Sequence, residues 1–186
     1  PENLAILEES NVASLLSHVL PYGLDAMRHQ FSGDALDDEE EAVLDSLEHL
    51  ISVVQGHKVL MKQVYTELIL DLRPWDGLGA RGIRRLLNMC SAACNSSPQV
   101  MHQVGAFQSL LDNARRWLCP TSSMMGGILH NNSAKSVMDD KGKFRVSEVE
   151  SLALVDDLLV SVNLLANTCD SMEVIVDIIV GYLAEC

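Results

Sequence analysis

The feature that most constrains this fold is a helical pattern that recurs with a period of about 40 residues. Segments 59–64 and 99–104 carry Met, Gln and Val at equivalent positions, so that Met61 recurs as Met101. Each segment follows a long amphipathic stretch and precedes another helical stretch. A chain that repeats one helical unit at a fixed period buries the apolar face of each unit on the next unit. The pattern therefore predicts an all-α chain built from consecutive units.

Apolar spacing predicts three long amphipathic helices with shorter helices between them. The long helices are expected at about 36–55, 80–94 and 148–168. Pro21 and Gly23 are expected to break or kink the first helical segment, about 4–20. Gly105 is expected to hinge a short helix, 99–104, to a medium one, 106–118.

The predicted helices define the domain organisation. Residues 1–118 form helical repeats with unit boundaries near 35 and 77. Residues 119–147, rich in Gly, Asn, Asp and Ser, form an irregular insert of a length that is typical of functional or mobile segments. Residues 148–186 form a further repeat, and because the chain stops at Cys186 directly after an apolar stretch, we expect this repeat to continue in a longer parent protein.

Composition excludes several classes of protein. The formal net charge is −13, with 26 acidic and 13 basic side chains, which argues against general nucleic-acid binding. No uncharged apolar stretch is long enough to span a membrane, and acidic side chains occupy the start of the chain, where a signal peptide would be basic. Five cysteines in a chain of this size predict reduced thiols, hence a cytoplasmic or nuclear protein.

The stretch from Leu86 to Leu111 resembles an armadillo/HEAT-type helical repeat. A long helix ends in the small residues Ala92 and Ala93, a polar turn and a short helix follow, and Gly105-Ala106 opens the next helix. Segment 164–171 repeats part of this pattern. The resemblance covers about 36–118 and 148–186, and it implies a right-handed α-solenoid of about three to four repeats with one irregular insert.

No constellation of residues predicts catalysis, a cofactor or a metal site. Cys90 and Cys94, four residues apart, are expected to be core thiols, since structural zinc needs four convergent ligands. The glycine-rich segment 77–82 lacks the Lys-Ser/Thr of a phosphate-binding loop. The six histidines are scattered, and 139–143 lacks the alternating acidic ligands of a calcium loop. We therefore expect the chain itself not to be an enzyme.

Clustered arginines supply the first candidate partner-binding residues. Five of the 13 basic side chains fall on two predicted helices, where they form a positive patch for an acidic partner segment or are simply solvated. These residues are Arg81, Arg84, Arg85, Arg115 and Arg116. The acidic run 34–41 is expected either to face water at a helix start or to dock a basic segment.

The resemblance adds two amide side chains to the candidates. In peptide-binding armadillo proteins an Asn recurs on the long helix of each unit and holds the peptide backbone, and Asn88 and Asn163 are the residues in question here. The function expected from the resemblance is a protein-interaction scaffold whose concave face is lined by the long helices. Two alternatives stay open. One is a non-catalytic region of a large regulatory enzyme, such as a ubiquitin ligase or a small-GTPase regulator. The other is a compact helical bundle that acts as an enzyme or ligand carrier.

Overall fold

The protein is all-helical over the residues that its computed structural model describes, 2–118 and 148–168. No strand occurs in those two ranges. Within them, eight α-helices follow one another along the chain. They are α1 (Glu2–Glu9), α2 (Val12–Gln30), α3 (Asp34–Val54), α4 (Lys58–Val64), α5 (Ala80–Ser96), α6 (Pro98–Gln103), α7 (Ala106–Leu118) and α8 (Glu148–Asn167).

The three long helices and the short-then-medium pair are confirmed close to their predicted ends. The long helices are α3, α5 and α8, and the pair is α6 and α7. Gly105 joins α6 to α7 with φ +72°, a left-handed conformation that glycine adopts without steric cost. The predicted insert 119–147 and residues 169–186 of the predicted C-terminal repeat lie outside the described residues.

Of the break or kink expected at Pro21 and Gly23, the break is wrong. α2 runs without interruption from Val12 to Gln30 with Pro21 inside it. Burial on one face, at Ala13, Ser17 and Leu24, continues on both sides of the proline, and this packing outweighs the roughly 3 kcal/mol that an internal proline costs a helix. The chain turns earlier instead, at Asn11, whose φ of 46° lies in the left-handed region that Asn tolerates.

Between α4 and α5 the chain forms a π-helical segment, Tyr65–Leu70, followed by a single 3₁₀ turn, Arg73–Trp75. A π-helix leaves backbone carbonyls near its end without regular partners. The Trp75 indole N–H donates to the Leu68 carbonyl at 2.7 Å, and the Asn113 amide donates to the Leu70 carbonyl at 2.7 Å. Two side chains, one of them from α7, thus satisfy this irregular segment.

One continuous apolar core runs through the described helices. α5 packs on both α3 and α8, and α7 also packs on α8. The largest fully buried side chains centre on the π-helical segment and α5. They are Trp75, Tyr65, Leu24, Leu44, Ile69, Leu70, Leu72, Leu78, Ile83, Leu86, Leu87 and Met101.

Candidate partner-binding surface

In each polar contact between α3 and the start or body of α5, the two residues lie a similar number of positions apart in the sequence. Sequence separations of 37, 39, 40 and 44 occur in this helix pair. The pairs ascend both helices together, from Glu40 with Gly79 to Asp45 with Arg85. The two helices therefore run in the same direction, side by side.

The contacts between α5 and α8 follow the same rule once the insert is set aside. Arg84 binds Asp157 at 3.1 Å, and the Ser91 and Ser161 hydroxyls lie 2.7 Å apart. Their separations along the chain are 73 and 70, which become 44 and 41 when the segment 119–147 is left out of the count. α5 and α8 consequently also run side by side in the same direction.

Arg85 is the centre of the contact between α3 and α5. Its guanidinium donates hydrogen bonds to the carboxylates of Glu41, Asp45 and Glu48, and Arg81 lies 3.0 Å from the other oxygen of Glu41. These carboxylates, Asp45 first and Glu48 next, raise the pKa of Arg85 above its ordinary value. The positive charge of Arg85 is therefore paired with carboxylates of its own chain.

A buried carboxylate lies at the start of α5. Glu40, only 4% exposed, accepts a hydrogen bond from the backbone N–H of Gly79 at 3.0 Å, immediately before Ala80. The first N–H groups of a helix lack intrahelical partners, and the positive end of the helix dipole favours an anion. Glu40 thus caps α5 from the neighbouring long helix. A shallow depression beside it is lined by Asp37, Glu40, Glu41, Arg81 and Gly82.

Arg116 makes a second contact of this type. Its guanidinium binds Asp76 through two hydrogen bonds, at 3.0 and 3.2 Å, across a sequence separation of 40. Burial raises the pKa of Asp76, and the adjacent charge of Arg116 acts in the opposite direction. Arg115 lies on α7, but its side chain is outside the described part of the structure.

The expected positive patch is therefore not free. Each of Arg81, Arg84, Arg85 and Arg116 faces at least one carboxylate of its own chain. Composition makes these arginines conspicuous in an acidic chain, but it does not show that their acidic partners lie about one repeat away. The repeat period itself was the missed signal, since Asp45 with Arg85 and Asp76 with Arg116 are each separated by 40 positions. Whether any of these arginines touches a partner stays a prediction.

The two candidate amides are exposed on adjacent long helices. Asn88 lies on α5 one turn after Arg84, and Asn163 lies on α8 two turns after Asp156. Around them α5 exposes Ala92 and Asn95, and α8 exposes Leu159, Val160 and Asn167. This uncharged surface on α5 and α8, here called the amide ridge, begins beyond the Arg84–Asp157 ion pair. It offers hydrogen-bonding amides beside small apolar side chains.

The two core thiols are confirmed as buried and unpaired. Cys90 and Cys94 are both fully buried on α5 and form no disulfide. The hydrogen bond with Cys94, together with burial, raises the pKa of Cys90 well above its ordinary value. A thiol with a raised pKa in the core is a poor nucleophile. Among the described residues no three His, Cys, Asp or Glu side chains are placed to share a metal ion.

Comparison with family models, with curated proteins and with solved structures found no match for this chain. Within 2–118 and 148–168, none of the helices combines the length and apolarity that crossing a membrane requires.

Proposed function

We propose that the protein is a protein-interaction scaffold whose helices stack as an armadillo-like right-handed solenoid. The observation that carries this proposal is the nearly constant separation of the polar contacts that join the long helices α3, α5 and α8, from 37 to 44 positions once 119–147 is set aside. In a stacked array each unit touches only its neighbours, which produces one repeated separation. A closed bundle has no reason to repeat a single value.

Under this proposal α3, α5 and α8 are the equivalent long helices of three successive units. Their parallel, side-by-side arrangement forms a broad face, and the amide ridge occupies the part of it on α5 and α8. Solenoids use such extended faces to bind other proteins. Asn88 and Asn163 are exposed on the adjacent helices α5 and α8, and their side-chain amides are suited to hydrogen bonds with the backbone of a bound segment.

The internal ion pairs change the expected chemistry of the partner. Because Arg84 and Arg85 are compensated by Asp157 and by three carboxylates of α3, an acidic segment would gain little attraction from them. The amide ridge instead favours a segment that contributes backbone groups and small apolar side chains. We infer that the protein acts in the cytoplasm or nucleus, where its buried thiols stay reduced.

The test compares partner recovery by three forms of the full chain. Wild type, Asn88→Ala/Asn163→Ala and the control Gln99→Ala/Gln103→Ala, which changes exposed amides of the short helix α6, are each used for affinity capture with quantitative mass spectrometry. We expect a partner whose recovery falls about tenfold with the asparagine variant and stays level with the control, since each lost hydrogen bond contributes about 0.5–1.5 kcal/mol. Equal recovery by all three forms would remove the amide ridge from the binding surface.

A further inference from the structure

α2 is apolar on two opposite faces. Ala13, Ser17 and Leu24 are buried against the rest of the protein. The opposite face exposes four large apolar side chains, which are Leu15 (60%), Leu16 (42%), Val19 (64%) and Tyr22 (78%). No Asp, Glu, Lys or Arg occurs from Val12 to Leu24, in a chain of net charge −13. A helix that is apolar on opposite faces is normally covered on both.

We propose that this outer face of α2 packs on the same face of a second copy of the chain. The two α2 helices run antiparallel about a two-fold axis at Val19. Such a pairing places Leu15 opposite Gly23 of the second copy and Leu16 opposite Tyr22 of the second copy. The same surface then serves both copies, as a two-fold interface requires.

Gly23 provides the space that this pairing needs. It is exposed, and a Cβ built on it would meet nothing within 4 Å. The space beside Gly23 is therefore open to receive the Leu15 side chain of the second copy. Because the arrangement is symmetric, each copy contributes one projecting Leu15 and one open Gly23, and Val19 meets its own counterpart at the axis.

Charge directs the second copy to this face. Two chains of net charge −13 repel each other across most of their surfaces. The stretch from Val12 to Leu24 lets two copies approach without setting carboxylates against one another. Salt screens the remaining repulsion and leaves apolar contact intact, so association should strengthen as salt concentration rises.

The size of the face places this pairing among weak interfaces. The four exposed side chains present roughly 500 Å² per copy, or about 1,000 Å² in total, which is in the range of weak and transient interfaces. We therefore expect a dissociation constant between about 10 µM and 1 mM, the range of weak association.

Sedimentation equilibrium from about 10 µM to 1 mM tests the proposal. For wild type the weight-average mass should rise at least about 1.4-fold above that of the monomer at the highest concentration, and more strongly in about 0.5 M NaCl than in about 0.05 M NaCl. Val19→Glu should stay monomeric throughout. The control Val59→Glu changes a comparably exposed valine of α4 (48%), outside both α2 and the amide ridge, and should associate like wild type.

The variant Gly23→Leu distinguishes the specific pairing from nonspecific hydrophobic association. Leucine is a better helix former than glycine, so this variant should unfold at a higher temperature, yet its side chain fills the space that Leu15 of the second copy needs. We expect at least a fivefold weaker association. Tighter association of Gly23→Leu, loss of association in Val59→Glu, or a wild type that stays monomeric at the highest concentration would each overturn the proposal.

Discussion

At the scale of single residues, the most informative side chain is the buried carboxylate of Glu40. An ionised group taken out of water must gain compensating hydrogen bonds, and Glu40 gains one from the Gly79 N–H at the start of α5. The sequence of the acidic run 34–41 predicts a uniformly solvated face, but Glu40 within this run is buried. Glu39, its neighbour, is exposed.

Replacing Glu40 should therefore destabilise the fold, whereas replacing Glu39 should not. Glu40→Ala removes the cap of α5 and should lower the free energy of unfolding by about 2 kcal/mol. Glu40→Gln keeps an acceptor and should lower it by about half as much. Urea denaturation measures both, and Glu39→Ala, which should change stability by less than about 0.5 kcal/mol, is the matched control. Equal effects of Glu39→Ala and Glu40→Ala would show that the buried cap contributes nothing.

Asn113 is a second residue whose role is to satisfy a backbone group elsewhere in the fold. It donates to the Leu70 carbonyl at the end of the π-helical segment. Asn113→Ala should lower the free energy of unfolding by about 1–3 kcal/mol, because a buried carbonyl then loses its donor. Asn88→Ala, at an exposed position, should leave stability almost unchanged in the same thermal or urea denaturation. A cost for Asn113→Ala no larger than that of Asn88→Ala would contradict this role.

At the scale of elements, one guanidinium that is shared by three carboxylates links α3 and α5. Asp45 and Glu48 keep 68% and 58% of their side-chain surface exposed, so salt screens their attraction to Arg85. A network around one rigid guanidinium nevertheless contributes more than an isolated surface pair. Electrostatics thus adds to the apolar packing that joins these neighbouring long helices.

Arg85→Ala should lower the free energy of unfolding by about 1–2 kcal/mol in low salt and by clearly less in about 1 M NaCl. The control is Arg73→Ala, because Arg73 pairs only locally with Asp71, two residues away, among the contacts that the described residues make. In urea denaturation that control should cost less than about 0.5 kcal/mol, as an isolated exposed ion pair does. If the cost of Arg85→Ala does not depend on salt, the network is not electrostatic in origin.

Helix positions were predictable wherever the apolar spacing and the helix-breaking residues indicated the same helix ends. The prediction of 106–118 matches α7, and that of 80–94 is two residues short of the end of α5. It failed at Pro21, because local propensity cannot register the buried face that α2 gains from tertiary packing. The π-helical segment was also missed as such, since the side chains of Trp75 and Asn113 that make it possible come from later in the chain.

The candidate surface was only partly predictable for a related reason. Exposure of Asn88 and Asn163 follows from the helical period, and both are exposed. Compensation of the arginines depends on which residues meet across helices, and only the repeat period carried that information.

At the scale of the whole molecule, one period links sequence and three-dimensional contacts. Met61 recurs as Met101 in the sequence, and Asp45 with Arg85 and Asp76 with Arg116 touch across the same separation of 40 positions. In a stacked array, positions one repeat apart both resemble each other in sequence and lie on neighbouring units that touch. Both together are what the proposed solenoid requires.

The distance between α3 and α8 tests stacking most directly. Spin labels at Ser46→Cys on α3 and Asn163→Cys on α8 replace exposed residues, in a chain whose Cys119, Cys169 and Cys186 are Ser and whose buried Cys90 and Cys94 remain. If α5 separates the two helices, two interhelical spacings of about 8–10 Å each predict a mean label separation of about 16–20 Å by electron paramagnetic resonance, pulsed for the longer distances and continuous-wave for the shorter ones. A single population at about 10 Å, the spacing of helices in direct contact, would mean that α3 and α8 touch, and the stacked arrangement would be refuted.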